Sequence, residues 1–387
     1  MNKYIWEEVK RIIIKKKIWI VIVIMITIGF GLISTLKTNT LEVQIQKYKA
    51  LLVNPKMGRD KANSELKKAE FSRDIVSTQK EIKDKEKQLN EIKSYDRSKL
   101  DQRIQKLKKK NNPENEYKLL QLKYEKKYNI GKSELIPKGM YSAMEILTYF
   151  IPVFFLLILI VFLSDIVSGD YSPNTIKNLV TKPISRKKII VSKFAASMIL
   201  NIGMLIASTL IFILEAGIHL GFSDYRLPFD VGARYVFDSS LTLSPITSQM
   251  KYVSGSRSII PLWSAIIELL LIAIIVSAAI ISIILLISVF CRNSLVSSLV
   301  SFILIGGTAV WYLFGFAGRY VVSAKYGAFV KFLPIPYIVD VMGVLSGDIS
   351  VQLTSTINVF SVLMVCLAWT SIMLFLSSYV FGKRDFD

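Results

Sequence analysis

Residues 168–193 read SGDYSPNTIKNLVTKPISRKKIIVSK, a polar segment that lies between two long apolar runs. The segment carries six Lys or Arg residues against a single Asp, and it contains Pro and Asn residues of the kind that end helices. It divides the apolar sequence around it into separate blocks. This alternation of apolar and charged blocks continues along the chain.

The composition combines two properties that soluble proteins rarely share. Of 387 residues 52% are hydrophobic, with a mean hydropathy of +0.44, yet the formal net charge is +20. The two classes are segregated: apolar windows of about 20 residues, the length that crosses a bilayer as a helix, alternate with charged stretches. We therefore predict an all-α polytopic membrane protein with six transmembrane helices and an extracellular antiparallel coiled-coil hairpin between the first and second. The predicted spans are 18–36, 144–164, 193–220, 262–290, 295–316 and 354–381.

Lys and Arg in the short flanks of these spans set the predicted orientation. Basic residues precede the first span, fill the quoted segment and follow the last span, so both termini are expected to be cytoplasmic, in the plasma membrane. Segments 1–17, 165–192 and 382–387 then face the cytoplasm, and 37–140, 221–261 and 318–350 lie outside. The first apolar run lacks a small-residue cleavage site, so we interpret it as a retained helix and not as a signal peptide.

Segment 1–17 is predicted to be an amphipathic helix on the inner leaflet, since Ile5, Val9, Ile12 and Ile13 share one helical face. Segment 221–261 is an outer loop whose structure the sequence does not indicate. Segment 318–350 is apolar enough to enter the membrane as a re-entrant element. Its Pro and Gly residues would break a full span, and they are Pro334, Pro336, Gly343 and Gly347.

The hairpin prediction for 37–140 depends on apolar residues at heptad spacing. The first arm, 60–92, has no Pro or Gly, and two shorter helices before and after Pro113 match its length. A disordered polar linker is the alternative that the composition permits. The apolar positions of the three helices are Phe71, Ile75, Ile82, Leu89 and Ile92; Leu100, Ile104 and Leu107; and Tyr117, Leu120 and Tyr124.

The sequence motifs give little support for an enzyme active site or a metal site. The triplet Gly131-Lys132-Ser133 lacks the earlier Gly and the strand of a phosphate-binding loop, and His219 is the only histidine. Cys291 and Cys366 indicate no disulfide framework. Nucleic-acid binding is not expected either, because the basic hairpin faces out and lacks interleaved stacking aromatics. No catalytic residue, metal site or cofactor site is predicted in this chain.

Glu215 and Glu268 are the acidic candidates inside predicted spans, where an ionisable side chain suggests a functional role. Both lie within about two helical turns of the predicted outer surface. Snorkelling or pairing between helices explains them as well as contact with a substrate or ion does.

The quoted segment itself contains the signals of a short amphipathic helix. Ser172-Pro173 would begin it, Ile176 and Leu179 would share its apolar face with Val180, and Pro183 would end it. Ser185 could cap the next helix, whose first turn carries Arg186 and Lys187. From the residues alone, this is either a docking surface for a soluble partner or an ordinary positively charged loop.

The segment also resembles the cytoplasmic loop of ABC-2 type transporter permeases. The family pattern has an acidic residue and a Gly-Thr pair, then Pro, Ile or Val, Ser, Arg and a later Lys. Asp170 stands here where Glu is usual, and Asn174 stands where Gly is usual. The resemblance extends to the six spans and the amphipathic N-terminal helix, but it does not cover the hairpin. The matching residues are Asp170, Thr175, Pro183, Ile184, Ser185, Arg186 and Lys193.

The resemblance implies the membrane subunit of an ATP-driven exporter. Two permeases, identical or different, would pair in the bilayer, and separate ATPase subunits carrying the ATP and Mg²⁺ would dock beneath them. The cargo would be amphipathic or hydrophobic, such as a peptide antibiotic, bacteriocin or toxin, with resistance to antimicrobial peptides as one outcome. The alternatives are an ATPase-free structural or secretion-associated protein and a mechanotransmitting sensor acting through the hairpin. The implied coupling residues are Asp170, Thr175, Ile176, Leu179, Pro183, Ser185, Arg186 and Lys187.

Overall fold

The fold is mostly helical and consists of two compact units, seen in a computed structural model. The first unit comprises Met1–Ile26, Ala143–Ile213 and Pro228–Asp387, and the second comprises Thr27–Ser142 and Leu214–Leu227. The structure describes residues 2–14, 17–37, 45, 49, 75–76, 78–87, 90, 96–109, 113–171, 185–238, 250–313 and 329–384.

Fourteen helices and four short strands are numbered here within the described residues. Two of the long helices contain a π-helical turn, at Ile151–Phe155 and at Phe302–Gly306. The helices are α1 Asn2–Ile14, α2 Lys17–Lys37, α3 Leu100–Lys109, α4 Pro113–Tyr128, α5 Gly139–Phe150, α6 Leu156–Leu163, α7 Arg186–Leu220, α8 Leu262–Phe290, α9 Ser294–Ser301, α10 Gly307–Leu313, α11 Ile335–Val339, α12 Val341–Ser346, α13 Ile349–Gln352 and α14 Val359–Lys383; the strands are β1 Pro228–Val231, β2 Tyr235–Phe237, β3 Met250–Tyr252 and β4 Ser258–Pro261.

Within the described residues, five helical segments are long and apolar enough to cross a membrane. The first predicted span lies in α2, whose apolar part, Ile22–Leu32, is shorter than these five segments. The polytopic helical architecture is therefore confirmed in outline, and the sixth span stays a prediction. The five segments are Lys132–Asp170, Arg186–Leu220, Leu262–Phe290, Ser294–Leu313 and Val359–Lys383.

Helix α8 forms the centre of the first unit. Its buried stripe includes Ala265, Leu269, Ala273 and Val276, which recur at the three- and four-residue spacing of one helical face. Helix α14 is a neighbour of α8 in this unit. Small residues such as Ala265 and Ala273 on the buried face let neighbouring helices approach closely, which suits packing in lipid, where burial of apolar surface does not drive association. The opposite face of α8 is apolar but exposed, as at Leu271, and this is the character expected of a surface that meets acyl chains.

Segment 221–261, whose structure the sequence did not indicate, contains four strands. Strand β1 pairs with β4 and β2 pairs with β3, both antiparallel. The backbone N–H groups of Gly232 and Ala233 donate to the carbonyls of Leu345 and Ser346 at the end of α12, at 3.0 and 2.8 Å. At Gly347 φ is +93°, and an added Cβ would lie 1.9 Å from the Ala233 carbonyl oxygen, so only glycine fits this contact.

The described part of segment 318–350 is broken into the short helices α11 and α12 and the start of α13. Asp340 caps α12 by accepting the Gly343 N–H at 2.8 Å. Its second oxygen accepts from the side chain of Gln352, whose carbonyl oxygen accepts from the Tyr312 hydroxyl at 3.2 Å. Side chains thus satisfy polar groups at the breaks between the helices.

In the second unit, α3 and α4 pack through Leu100, Ile104 and Leu122, with Leu107 and Leu119 against them. Of the predicted third-helix positions, Tyr124 is buried, and Tyr117 and Leu120 are half-buried. Ile75 and Ile82 form a separate buried cluster with Ile45. Much of the arm 60–92 lies outside the described residues, so its pairing in a coiled-coil hairpin stays a prediction.

Asp224 connects the beginning of α5 to the turn that follows α7. Its fully buried carboxylate accepts three backbone N–H groups, from Lys138 at 2.7 Å, Met140 at 3.1 Å and Tyr141 at 2.8 Å. The N–H groups at the start of a helix have no carbonyl partner within the helix, and Asp224 supplies the acceptor for these three. The two helices also touch through glycines, since a Cβ on Gly139 would lie 2.6 Å from the Gly217 Cα.

Candidate functional site

A cluster of four charged side chains, of which Glu8, Asp170 and Lys193 are buried and Arg11 is half-buried, lies in the first unit. Lys193 Nζ stands 2.7 Å from Asp170 Oδ2 and 3.3 Å from Glu8 Oε1. Arg11 pairs with Asp170 and, at 2.8 Å, with Glu8 Oε2. Each base therefore contacts both acids. We refer to Glu8, Arg11, Asp170 and Lys193 as the four-charge cluster.

Three separate elements supply this cluster. Glu8 and Arg11 are three residues apart on α1, so they lie one turn apart on the face that also buries Ile12. Asp170 ends the 3₁₀ turn Ser168–Asp170 that follows α6. Lys193 lies two turns into α7. The cluster thus joins α1 to the end of one candidate span and the beginning of the next.

Serine side chains hold the turn that presents Asp170. The Ser288 hydroxyl of α8 accepts the backbone N–H groups of Val167 at 3.1 Å and Ser168 at 3.0 Å. The Ser164 hydroxyl contacts that of Ser298 at 2.7 Å. Two backbone N–H groups freed where α6 ends are therefore bonded to a side chain of α8, which holds the turn that leads to Asp170.

The side chains of Lys193 and Asp170 are 1% and 3% exposed, which is rare for charged groups unless they are paired. Two acids and two bases balance the charge. Burial lowers the pKa of Arg11, but the carboxylates of Asp170 and Glu8 more than offset this, so the net shift is upward. Burial, together with these carboxylates, raises the pKa of the neighbouring Tyr4 phenol. The carbonyl of Ile166 accepts from Lys193 Nζ at 2.8 Å and from Arg11 at 3.3 Å.

A second set of contacts gathers helix ends near the quoted segment. Arg186, the first residue of α7, donates to the carbonyls of Gly382 at 3.2 Å and Arg384 at 2.9 Å. The Arg384 guanidinium donates to the carbonyls of Val289 and Phe290, the last two residues of α8. It also lies 5.0 Å from the centre of the Tyr171 ring. Cationic side chains thus bind carbonyls at two helix C-termini, where the helix dipole favours positive charge.

The structure places the coupling residues expected from the sequence as follows. Asp170 belongs to the four-charge cluster, and Ser185 directly precedes α7, with its carbonyl accepting the Ile189 N–H at 3.3 Å. Arg186 binds the carbonyls just described, and Lys187 is exposed. The other four, Thr175, Ile176, Leu179 and Pro183, lie outside the described residues.

The two acidic candidates are each described within their own unit. Glu215 and Glu268 belong to different units, and each is half-buried. Glu215 Oε2 has no hydrogen-bond partner among the described residues. Nor does any group of three or more His, Cys, Asp or Glu side chains in the described part of the chain form a candidate metal site.

Sequence reasoning missed the roles of Glu8 and Arg11 and matched Lys193 only as part of a family pattern. The predicted apolar face of α1 is partly right, because Val9 and Ile12 are buried, but Ile13 is 40% exposed. Two signals were available: an acid and a base three residues apart beside buried positions, and a lysine at the start of an apolar run. Neither signal reveals which residues pair, since Glu8 and Lys193 are 185 positions apart.

Comparison with known proteins agrees with this architecture. The chain matches the family model for the ABC-2 family transporter protein over residues 4–386. This match includes α1, the four-charge cluster, all five candidate spans and the region between α2 and α5 that the loop resemblance did not cover. No curated protein matches the chain. A match over nearly the whole length shows that the chain belongs to the ABC-2 family of transporter proteins, as a permease.

Proposed function

We propose that this permease is the membrane subunit of an ABC exporter and is driven by a separate ATPase subunit that binds ATP and Mg²⁺. A second permease, identical or different, completes the transporter in the plasma membrane. The end of the first unit that carries the four-charge cluster faces the cytoplasm, as do both termini. Family membership and the contacts around segment 172–184 support this proposal.

The observation that carries the proposal is the location of the four-charge cluster. Asp170 lies two residues before segment 172–184, and Lys193 lies nine residues after it. Both are tied to Glu8 and Arg11 of α1. Separating these charges would leave them buried without partners, which is costly, so the three elements move together. A displacement of the segment by a docked ATPase would therefore reach α1 and two spans at once.

The docking surface itself is assigned to segment 172–184 and to the exposed start of α7. Lys187 and Lys188 are both exposed, while Arg186 is bound to carbonyls of its own chain. Two adjacent exposed cations suit an acidic patch on the partner, and charge complementarity of this kind governs the rate and register of docking.

The proposed cargo is amphipathic or hydrophobic. The exposed faces of the candidate spans are apolar and include aromatic rings, so they suit acyl chains and an amphipathic cargo alike. On the helix that contains α5 and α6, Tyr149, Val153, Leu157 and Val161 recur at four-residue spacing and are all exposed. A peptide with an apolar face matches such a surface better than a hydrated ion does.

Co-purification tests the ATPase partnership. The tagged permease, extracted from its native membrane in mild detergent, should retain an ATP-binding-cassette ATPase subunit. Reversing Lys187 and Lys188 to Glu should reduce this retention, whereas the same reversal at Lys251, an exposed lysine on β3, should not. Absence of any ATPase from the wild-type preparation would refute the exporter assignment.

The cargo class has its own assay. Proteoliposomes that contain the permease and its ATPase should bind and move an amphipathic cationic peptide in the presence of ATP. Movement of small cations without peptide binding would exclude the proposed cargo while leaving the ATPase partnership intact.

A further inference from the structure

The end of α14 makes contacts that neither the family match nor the four-charge cluster explains. Arg384 follows the last helical residue, Lys383, and its side chain reaches the final carbonyls of α8, at Val289 and at Phe290, the latter at 3.5 Å. Its own backbone carbonyl accepts from Arg186 at 2.9 Å. Arg384 therefore joins the ends of α8 and α14 to the beginning of α7.

The same arginine reaches the other end of segment 172–184. Its guanidinium lies 5.0 Å from the centre of the Tyr171 ring, a distance at which the cation and the ring attract. Tyr171 directly precedes the segment, and Arg186 follows it by one residue after Ser185. One residue near the C-terminus thus contacts both flanks of the segment proposed to dock the ATPase.

The hydrogen bonds of Arg384 and Arg186 hold the ends of two helices in position. The last four carbonyls of a helix have no partner within the helix, and Arg384 and Arg186 bind such carbonyls on α8 and α14. A guanidinium presents several donors in a rigid plane, so it can hold two carbonyls and face a ring together. A lysine has a single ammonium and cannot reproduce this geometry.

We propose that Arg384 is a positioning residue for coupling, which fixes both flanks of segment 172–184 against α8 and α14. Through it, motion of the docking segment reaches the last span as well as α1, α7 and the end of α6. The four-charge cluster joins α1, the end of α6 and α7, whereas Arg384 joins the ends of α8 and α14 to the beginning of α7. This inference rests on the proposed function, because coupling requires the ATPase.

The test compares Arg384→Ala with Lys383→Ala. Lys383 is exposed, carries the same charge and lies next in sequence, but its ammonium contacts only the ring and hydroxyl of Tyr379 among the bonds described. Arg384→Lys tests whether charge alone suffices. Each variant is purified as the full permease with its ATPase and reconstituted in nanodiscs.

Two measurements separate anchoring from coupling. The first is the rate at which maleimide labels Cys291, the half-buried thiol directly after Phe290; the other cysteine, Cys366, is buried. Loss of a hydrogen bond to a charged group should speed labelling by about 10-fold in Arg384→Ala. The second is ATP turnover per retained ATPase, whose permease-dependent part should fall by about 5-fold or more. Lys383→Ala should match wild type in both, and Arg384→Lys should resemble Arg384→Ala.

Each result supports or overturns the inference. Faster labelling with unchanged turnover per ATPase would make Arg384 a structural anchor only, and unchanged labelling would show that it holds nothing at α8. Either outcome overturns the positioning role while ATPase retention still supports the exporter. If wild-type permease retains no ATPase, the proposed function fails first and this inference fails with it.

Discussion

Replacing Asp170 by Asn should destabilise the permease strongly, because it leaves the four-charge cluster with two bases and one acid. The Asp170 carboxylate is almost completely buried and lies 2.7 Å from Lys193 Nζ. Asn keeps nearly the same shape but loses the negative charge. Glu8 then balances only one of Arg11 and Lys193, and an excess positive charge remains in the cluster.

The magnitude follows from the contacts that survive. Removing one partner of a buried ion pair costs about 3–5 kcal/mol. Lys193 keeps Glu8 at 3.3 Å and the Ile166 carbonyl at 2.8 Å, so the expected loss lies at the lower end, about 3 kcal/mol. Adding Lys193→Met removes the excess charge, and the double variant should recover about 2 kcal/mol of this loss.

The assay is unfolding of the detergent-solubilised permease by increasing SDS, followed by the fluorescence of its five tryptophans. Asp84→Asn is the control, since Asp84 is an exposed aspartate outside the four-charge cluster and the substitution removes the same charge. A change of less than about 0.5 kcal/mol in the free energy of unfolding of Asp170→Asn, the range of neutral surface substitutions, would refute a stabilising role of the Asp170 charge. Simple additivity of the two single substitutions would also refute it.

Three further predictions concern the remaining structure, and each is measured by thermal unfolding in detergent. Asp224→Asn weakens three buried N–H bonds and should cost about 2–3 kcal/mol; an unchanged melting temperature would contradict the assigned bonds. Gly347→Ala meets both a positive φ and the Ala233 carbonyl, so we expect a loss of about 2–4 kcal/mol, against little effect at Gly203→Ala, where an added Cβ has open space. Burial raises the pKa of Asp230 although Arg257 lies 3.4 Å away. The folded protein therefore holds the Asp230 proton more tightly than the unfolded chain does. The resulting stabilisation is complete below the ordinary aspartate pKa of about 4 and is lost as the pH rises through the raised pKa. Asp230→Asn should remove that pH dependence, and a melting profile between pH 4 and 7 identical to wild type would count against it.

The spans were predictable because the signal for each is local. A helix such as α8 must satisfy its own backbone in lipid, so about 20 consecutive apolar residues suffice to indicate it without knowledge of its neighbours. The short helices of segment 318–350 follow from Pro334 and Gly347 for the same reason, since each residue restricts its own backbone. The four strands of segment 221–261 depend instead on pairing across many residues, as between Asp230 and Ile259, and gave no comparable pattern.

Of the residues in the four-charge cluster, the sequence pointed to Asp170 and Lys193 through the family pattern, but it gave no indication of which residues pair. The quoted segment stands out because charges between two spans must lie at a membrane surface, and Asp170 could be selected there by family pattern. The pairing of Asp170 with Lys193 and Arg11 is set by how α1 packs against α7, and no local pattern encodes that packing. Arg384 gave no signal for a specific contact, because the adjacent Lys383 and Arg384 are typical of the basic flank of any span.

The charge balance of the four-charge cluster has an electrical consequence. A membrane potential acts on net charge, at about 2.3 kcal/mol per elementary charge for each 100 mV crossed. Two acids and two bases that move as one body carry no net charge through the field. Under the proposed function, a displacement of the four-charge cluster as one body would therefore gain no voltage dependence from the cluster's own net charge.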